Sequence, residues 1–327
     1  MPKHSFIFNS RSMKKFICRF GILIAIVFVL AIAFDYMITT GLKKTDIRKY
    51  STWNDIYKGN LDADLLIIGA SNAWSGFNTY IIDTILNLNS YNLGIDGHNI
   101  DYQIIRYDTY RRFNSKPKIV LINTLFGGTL STSAHIQYER EQFFPYIHDK
   151  ELISRVAKDK NFSWADRYVP LIRYFGYRED FENGIMAYFG KTDFFDGGMH
   201  KGYRGNDYAW DRASLSIDTI FSINIEKESV ALLDSFSKRL IDDGIEVVYV
   251  KSPIYFPLRS KFTNIEQTDS IFNSISRKYD IPVLDYYFSN ISMDSIYFYN
   301  PGHLNKKGSE LFTFKLCHDI DSLRLLK

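Results

Sequence analysis

Residues 65–74 read LLIIGASNAW, four apolar side chains running directly into Gly69, Ala70 and Ser71. A short wholly apolar run of this kind is a strand covered on both faces, and the small residues after it permit a sharp turn. Four further runs repeat the pattern, at 91–94, 119–123, 247–250 and 283–286. The segments between them predict helices at 81–88, 104–113, 229–241, 270–279 and 307–325, the third stopped by Gly244. Strands separated by helices of this length need crossover connections. The expected architecture is therefore α/β, a mostly parallel sheet with helices on both faces.

Residues 130–225 break the rhythm. They are rich in aromatics, glycine and charge and include DGGMHKGYRG at 196–205. They predict a large insertion, placed to act as a cap because open α/β sheets bind ligands beyond the carboxyl ends of their strands. A solvated excursion without a role is the other reading.

The chain begins differently. Residues 20–34, FGILIAIVFVLAIAF, carry no charge, and with Ile17, Cys18 and residues 36–38 the apolar stretch reaches about twenty residues. A buried core helix would show polar interruptions at helical spacing, and none occurs. Two readings remain: an uncleaved transmembrane helix over 20–38, or a leader cut at the A-x-A site of Ala31, Ile32 and Ala33. The anchor is preferred because the run continues without a polar stretch before the cut. Lys3, Arg11, Lys14, Lys15 and Arg19 form a basic arm over 1–19, which by the positive-inside rule stays in the cytoplasm and exports the chain beyond about residue 40. Residues 39–60 are polar and suit a stalk, with one domain over 61–327.

The formal charge of +3 lies in that arm. Without its five cations the chain holds 35 basic and 37 acidic residues, a net of −2. Nucleic acid is therefore not an expected partner. Cys18 and Cys317 form no readable disulfide framework. No histidine pair at i, i+4, CxxC, calcium loop or phosphate loop is present, so neither metal nor cofactor is expected.

Chemistry points to two places. A turn after residue 68 lifts the Ser71 hydroxyl above the carboxyl edge of the sheet, beside helix N–H groups suited to developing negative charge. Near the other end, YFYNPGHLNKKG at 297–308 puts His303 in a Pro-Gly loop before the terminal helix. Histidine is the side chain whose ordinary pKa suits proton abstraction from serine at neutral pH.

In order, GASN at 69–72, NLGIDG at 92–97 and NPGHLNKKG at 300–308 resemble the motif blocks of the SGNH (GDSL-like) hydrolase superfamily. The resemblance spans the chain. It is similar in particular to membrane-anchored members linked to cell-surface polysaccharide or teichoic acid acylation. It implies a flavodoxin-like three-layer α/β/α sandwich that cleaves or transfers acyl groups, with Ser71 as nucleophile, His303 as base, and the N–H groups of Ser71 and Gly97 in the oxyanion hole. The third block departs from the pattern: NTLFGG at 123–128 stands where Gly-x-Asn-Asp belongs, and Asn123 is the candidate kept there, against a role in satisfying strand-end backbone. The residue three before the histidine, normally aspartate, is Asn300. Its carbonyl can orient the imidazole but cannot stabilise imidazolium by charge. Asp285 and Asp294 are the alternative sources of that charge.

His98, Lys201 and Arg204 are candidate substrate contacts, each with a plainer reading as helix-opening or turn residue. The expected function is an exported serine esterase or O-acyltransferase acting on acylated surface glycan. The competing expectation is a non-catalytic protein of the same fold that binds glycan or a membrane-bound acyltransferase partner.

Overall fold

The computed structural model describes residues 10–125, 129–131, 140–157, 162–191, 199–208, 210 and 220–325. Five strands form its central sheet: β1 (Leu65–Ile68), β2 (Ser90–Asn92), β3 (Ile119–Asn123), β4 (Glu246–Lys251) and β5 (Val283–Asp285). All neighbours are parallel, in the order β2-β1-β3-β4-β5. This is the flavodoxin-like order, whose direction reverses between β1 and β3. Ser71 therefore follows the strand at the switch point.

Alternate residues of each strand feed two cores. Leu66, Ile68, Val120, Ile122, Val247 and Tyr249 face one cluster, which takes in Trp53, Ile105, Phe236 and Phe272 from helices. Leu65, Ile67, Ile119, Leu121, Val248 and Val250 face the other, closed by Ile82, Phe312 and Leu316. The contributing helices are α1 (Ser10–Leu42), α2 (Arg48–Lys58), α3 (Ser71–Gly76), α4 (Thr79–Leu86), α5 (Ile100–Phe113), α6 (Arg178–Tyr188), α7 (Lys227–Asp242), α8 (Ile265–Tyr279) and α9 (Lys306–Ser322). The three-layer α/β/α expectation holds.

Two boundaries differ from expectation. Residues 39–60 do not form a free stalk. α1 runs unbroken to Leu42, and α2 buries Tyr50, Trp53 and Ile56 in the domain. The Asn54 amide donates to the carbonyls of Leu42 and Thr45, both at 2.9 Å, so a polar residue of α2 caps the end of α1.

The insertion also does other work than a cap. Its described part from 140 to 191 packs on the end of α1, where Phe144 and Tyr174 bury Ile38, Leu42 and Tyr50. A Cβ on Gly41 would stand 1.8 Å from the carbonyl oxygen of Gly184 in α6, so the two helices cross backbone to backbone. Residues 199–206, by contrast, run beside the Ser71 turn: Arg204 N–H donates to the Trp74 carbonyl at 3.2 Å, and Asn92 N–H to that of Lys201 at 2.9 Å.

Candidate active site

The turn after β1 is tight enough to require its first residue. A Cβ on Gly69 would stand 2.7 Å from that of Ala73 and 2.9 Å from that of Asn123. α3 then opens at Ser71, whose N–H belongs to the first turn and has no intrahelical acceptor.

His303 arrives from the far end of the chain on a small hairpin, β6 (Phe298–Asn300) and β7 (His303–Leu304), joined by Pro301 and Gly302. Asn300 pairs with His303 across it. Asn305, the N-cap of α9, accepts from Gly308 N–H and donates to the Ile296 carbonyl, fixing the hairpin to the helix. The Asn72 amide donates to the Gly302 carbonyl and ties the hairpin to the serine turn.

The result is a chain of three side chains. Ser71 Oγ lies 2.7 Å from His303 Nε2, and His303 Nδ1 lies 2.8 Å from Asn300 Oδ1. Gly302 N–H, which can only donate, also points at Asn300 Oδ1, at 3.0 Å. That bond fixes which end of the amide is oxygen. Nδ1 must then carry the imidazole proton, and Nε2 is left free to accept from the serine. A neutral asparagine thus selects the tautomer a base needs.

Charge enters from elsewhere. Burial lowers the pKa of the half-buried His303, and Asp96 acts in the opposite sense. Asp96 is held by Arg48 of α2 at 3.0 Å, and the Arg48 guanidinium lies 5.4 Å from the Trp74 ring centre. The Tyr299 ring stacks on His303 at 5.4 Å; burial first and Asp96 second push its hydroxyl up to about 12, while Arg48 and Arg204 pull the other way.

Asp285 and Asp294 are engaged otherwise. Asp285 pairs with buried Lys251 at 3.3 Å and accepts from Tyr287 N–H, and Asp294 caps a short helical turn through Ile296 N–H. Asn300 therefore occupies the acid position alone.

The remaining expected residues divide. Asn123 ends β3, fully buried beside Gly69; its Oδ1 accepts from Ser252 N–H at 3.4 Å, and its amide NH2 has no partner among the described residues. Gly97 sits exposed with φ +65°. It is Gly94 that presses on α3, where a Cβ would come within 2.6 Å of Trp74 N. The Gly94 carbonyl is held at 2.8 Å by Arg106 of α5. His98 is not open to a substrate: it is buried, bonded to the Asp96 carbonyl, and desolvation lowers its pKa to about 4. Lys201 is bound to Asp83 at 2.5 Å and Asn89 at 2.7 Å, a structural role. Arg204 does lie by the site, through Trp74 and its effect on Tyr299.

Asn72, Trp74, Asp96, Tyr299 and Arg48 were not singled out from the sequence. The first four lie within the quoted motif segments, so their neighbourhood was the available signal; Arg48 had none.

No family model matches the chain, and no curated protein matches it. Among solved structures it is similar to the crystal structure of a Bacteroides fragilis protein provisionally assigned as an acylhydrolase, at 13% identity, over 78% of this chain and 86% of that one, with a TM-score of 0.34. A likeness that loose bears on neither fold nor activity.

Proposed function

We propose that this is a membrane-anchored, exported serine esterase or O-acyltransferase of the SGNH type, acting on acyl esters of cell-surface glycan. The observation that carries the reading is the Ser71–His303–Asn300 chain, assembled from opposite ends of the sequence with the imidazole tautomer fixed. α1 is long and apolar enough to cross a membrane, and the cations gathered at its N-terminal end support an inside N-terminus.

In this reading Ser71 Oγ attacks the ester carbonyl carbon while Nε2 of His303 takes its proton. The carbonyl π electrons move to oxygen, for which the Ser71 N–H and the Asn123 amide, beside Gly69 and without a partner among the described residues, are the candidate donors. Collapse of the tetrahedral adduct breaks the bond to the alcohol, which leaves with the proton from imidazolium. Water or a sugar hydroxyl then attacks the acyl-serine by the same route in reverse, which makes the protein an esterase or a transferase respectively.

The test is covalent. A fluorophosphonate probe should label the full chain in detergent and leave Ser71→Ala unlabelled, and that substitution should lower ester turnover on the order of a millionfold. A folded wild-type chain that stays unlabelled would favour a glycan- or partner-binding role instead.

A further inference from the structure

We infer that residues 164–189 form a collar that seats in the surface of the phospholipid bilayer crossed by α1, an inference resting on the membrane-anchor reading above. The argument begins with depth. The charge-free run 20–34 covers about 22 Å of helix, whereas a hydrocarbon core of about 30 Å takes about twenty residues. Extending the span back through Cys18 and Ile17 to Phe16, with Arg19 snorkelling, places the far boundary at Asp35 and Tyr36.

That same turn of helix is the one the domain grips. Asp35 accepts from Leu171 N–H at 2.8 Å and from Arg173 at 2.5 Å, so Ile172 is bracketed at its level. The Tyr36 ring meets Tyr188 of α6 at 6.5 Å. A groove of about 380 Å³ between α1 and the insertion is lined by Tyr168, Pro170 and Arg167 on one side and by Ile32, a full turn deeper in the apolar run, on the other. If α1 spans, these residues stand at the lipid interface.

Their chemistry fits that place. Trp164 is 71% exposed, Tyr168 57%, Phe175 86% and Phe189 66%. Trp164 and Tyr168 touch ring to ring at 5.6 Å. Large aromatics exposed to water along one short segment suit an interaction surface, and tryptophan and tyrosine favour the headgroup level. The charges of the groove agree. Arg173 answers Asp35, whereas half-buried Arg167 lines the groove with no acidic partner among the described residues, and His148 lines it too. A lipid phosphate complements that field, and a bilayer supplies one at this depth.

Nitroxide labels on the full chain in nanodiscs, each carrying one copy, test the collar. The background is Cys18→Ser, the other cysteine, Cys317, being fully buried. Single labels go on Phe28, Trp164, Ile172 and, as an exposed aromatic on α9, Phe314. The expected result is that Phe28, Trp164 and Ile172 relax several-fold more with oxygen than with a water-soluble nickel complex, and that Phe314 shows the reverse. Aqueous behaviour at either Trp164 or Ile172, with Phe28 in lipid, overturns the collar while leaving the anchor standing; a surface reserved for a protein partner or second copy gives that result. Aqueous behaviour at Phe28 defeats the anchor reading and the collar with it.

Discussion

At the scale of single residues, the site runs on an asparagine where charge is usual, and this makes its pH behaviour informative. Asn300 lies 2.8 Å from His303 Nδ1, so a carboxylate there would stabilise imidazolium and raise the pKa of the base. Asn300→Asp should raise ester turnover and move the acid limb of the kcat/KM profile to higher pH. Asn300→Leu removes the tautomer control and should lower turnover by as much as about ten-thousandfold. Asp96→Asn should act oppositely to Asn300→Asp on the profile. Asp96 raises the His303 pKa and pairs with Arg48, so its loss removes a favourable charge from beside the base and leaves the guanidinium charge in place. The acid limb then moves to lower pH; an unmoved limb would show that Asp96 does not act on the base.

His98 carries a stability prediction. Its pKa falls from 6.5 to about 4 on burial, so between those values the unfolded chain holds a proton that the folded chain lacks. Stability therefore rises with pH across that window: the contribution is present above 6.5 and lost as pH falls toward 4, about 3 kcal/mol in all. Denaturation of the full chain at pH 4.5 and 7 should show this slope, and His98→Asn should flatten it. The residues at this scale were unequally legible. Ser71, His303 and Asn300 stand in short motifs whose order brings them together. Arg48 belongs to the site only because α2 folds back on Trp74, a placement that no local spacing encodes.

At the scale of elements, the sheet could be read because strands buried on both faces need unbroken apolar runs. β1 and β3 have the bounds expected of them, and β2, β4 and β5 differ from theirs by one or two residues. α2 could not be read in the same way. Its aromatic and aliphatic anchors at 50, 53 and 56 are separated by Ser51, Thr52 and Asn54, which are buried through hydrogen bonding and packing and mimic a solvated stretch. α6 was obscured by the aromatic, charged composition around it, since what it packs against is α1 and not the sheet. Small residues decide that crossing. Gly41→Ala places a methyl 1.8 Å from a carbonyl oxygen of α6, so the helices must separate, at a cost of about 1–3 kcal/mol. Chemical denaturation of the full chain in detergent should show that loss, and Gly21→Ala, with open space around it, should show none.

At the scale of the molecule, the apolar helix and the soluble fold are one object, because the last two turns of α1 are core. Ile38 and Leu42 are fully buried, and Arg173, 3% exposed, has its carboxylate partner in Asp35. Where the chain is cut therefore matters more than whether it is cut. A fragment beginning at Phe34, the product of cleavage after Ala33, keeps all three contacts and should fold and melt cooperatively. A fragment beginning at Lys43 loses two buried aliphatic side chains, each worth about 2–5 kcal/mol, and leaves a buried guanidinium unpaired, costing about 3–5 kcal/mol. Those losses approach the whole stability of an ordinary domain. The shorter fragment should therefore appear as aggregate or without a cooperative thermal transition, and equal melting of the two would refute the claim that α1 is part of the fold. The comparison also bears on the site, because Arg48 begins α2 only six residues after Leu42 and its pairing with Asp96 depends on where that helix is held. Loss of the α1 end should then disturb the charge around His303 in any fragment that does survive.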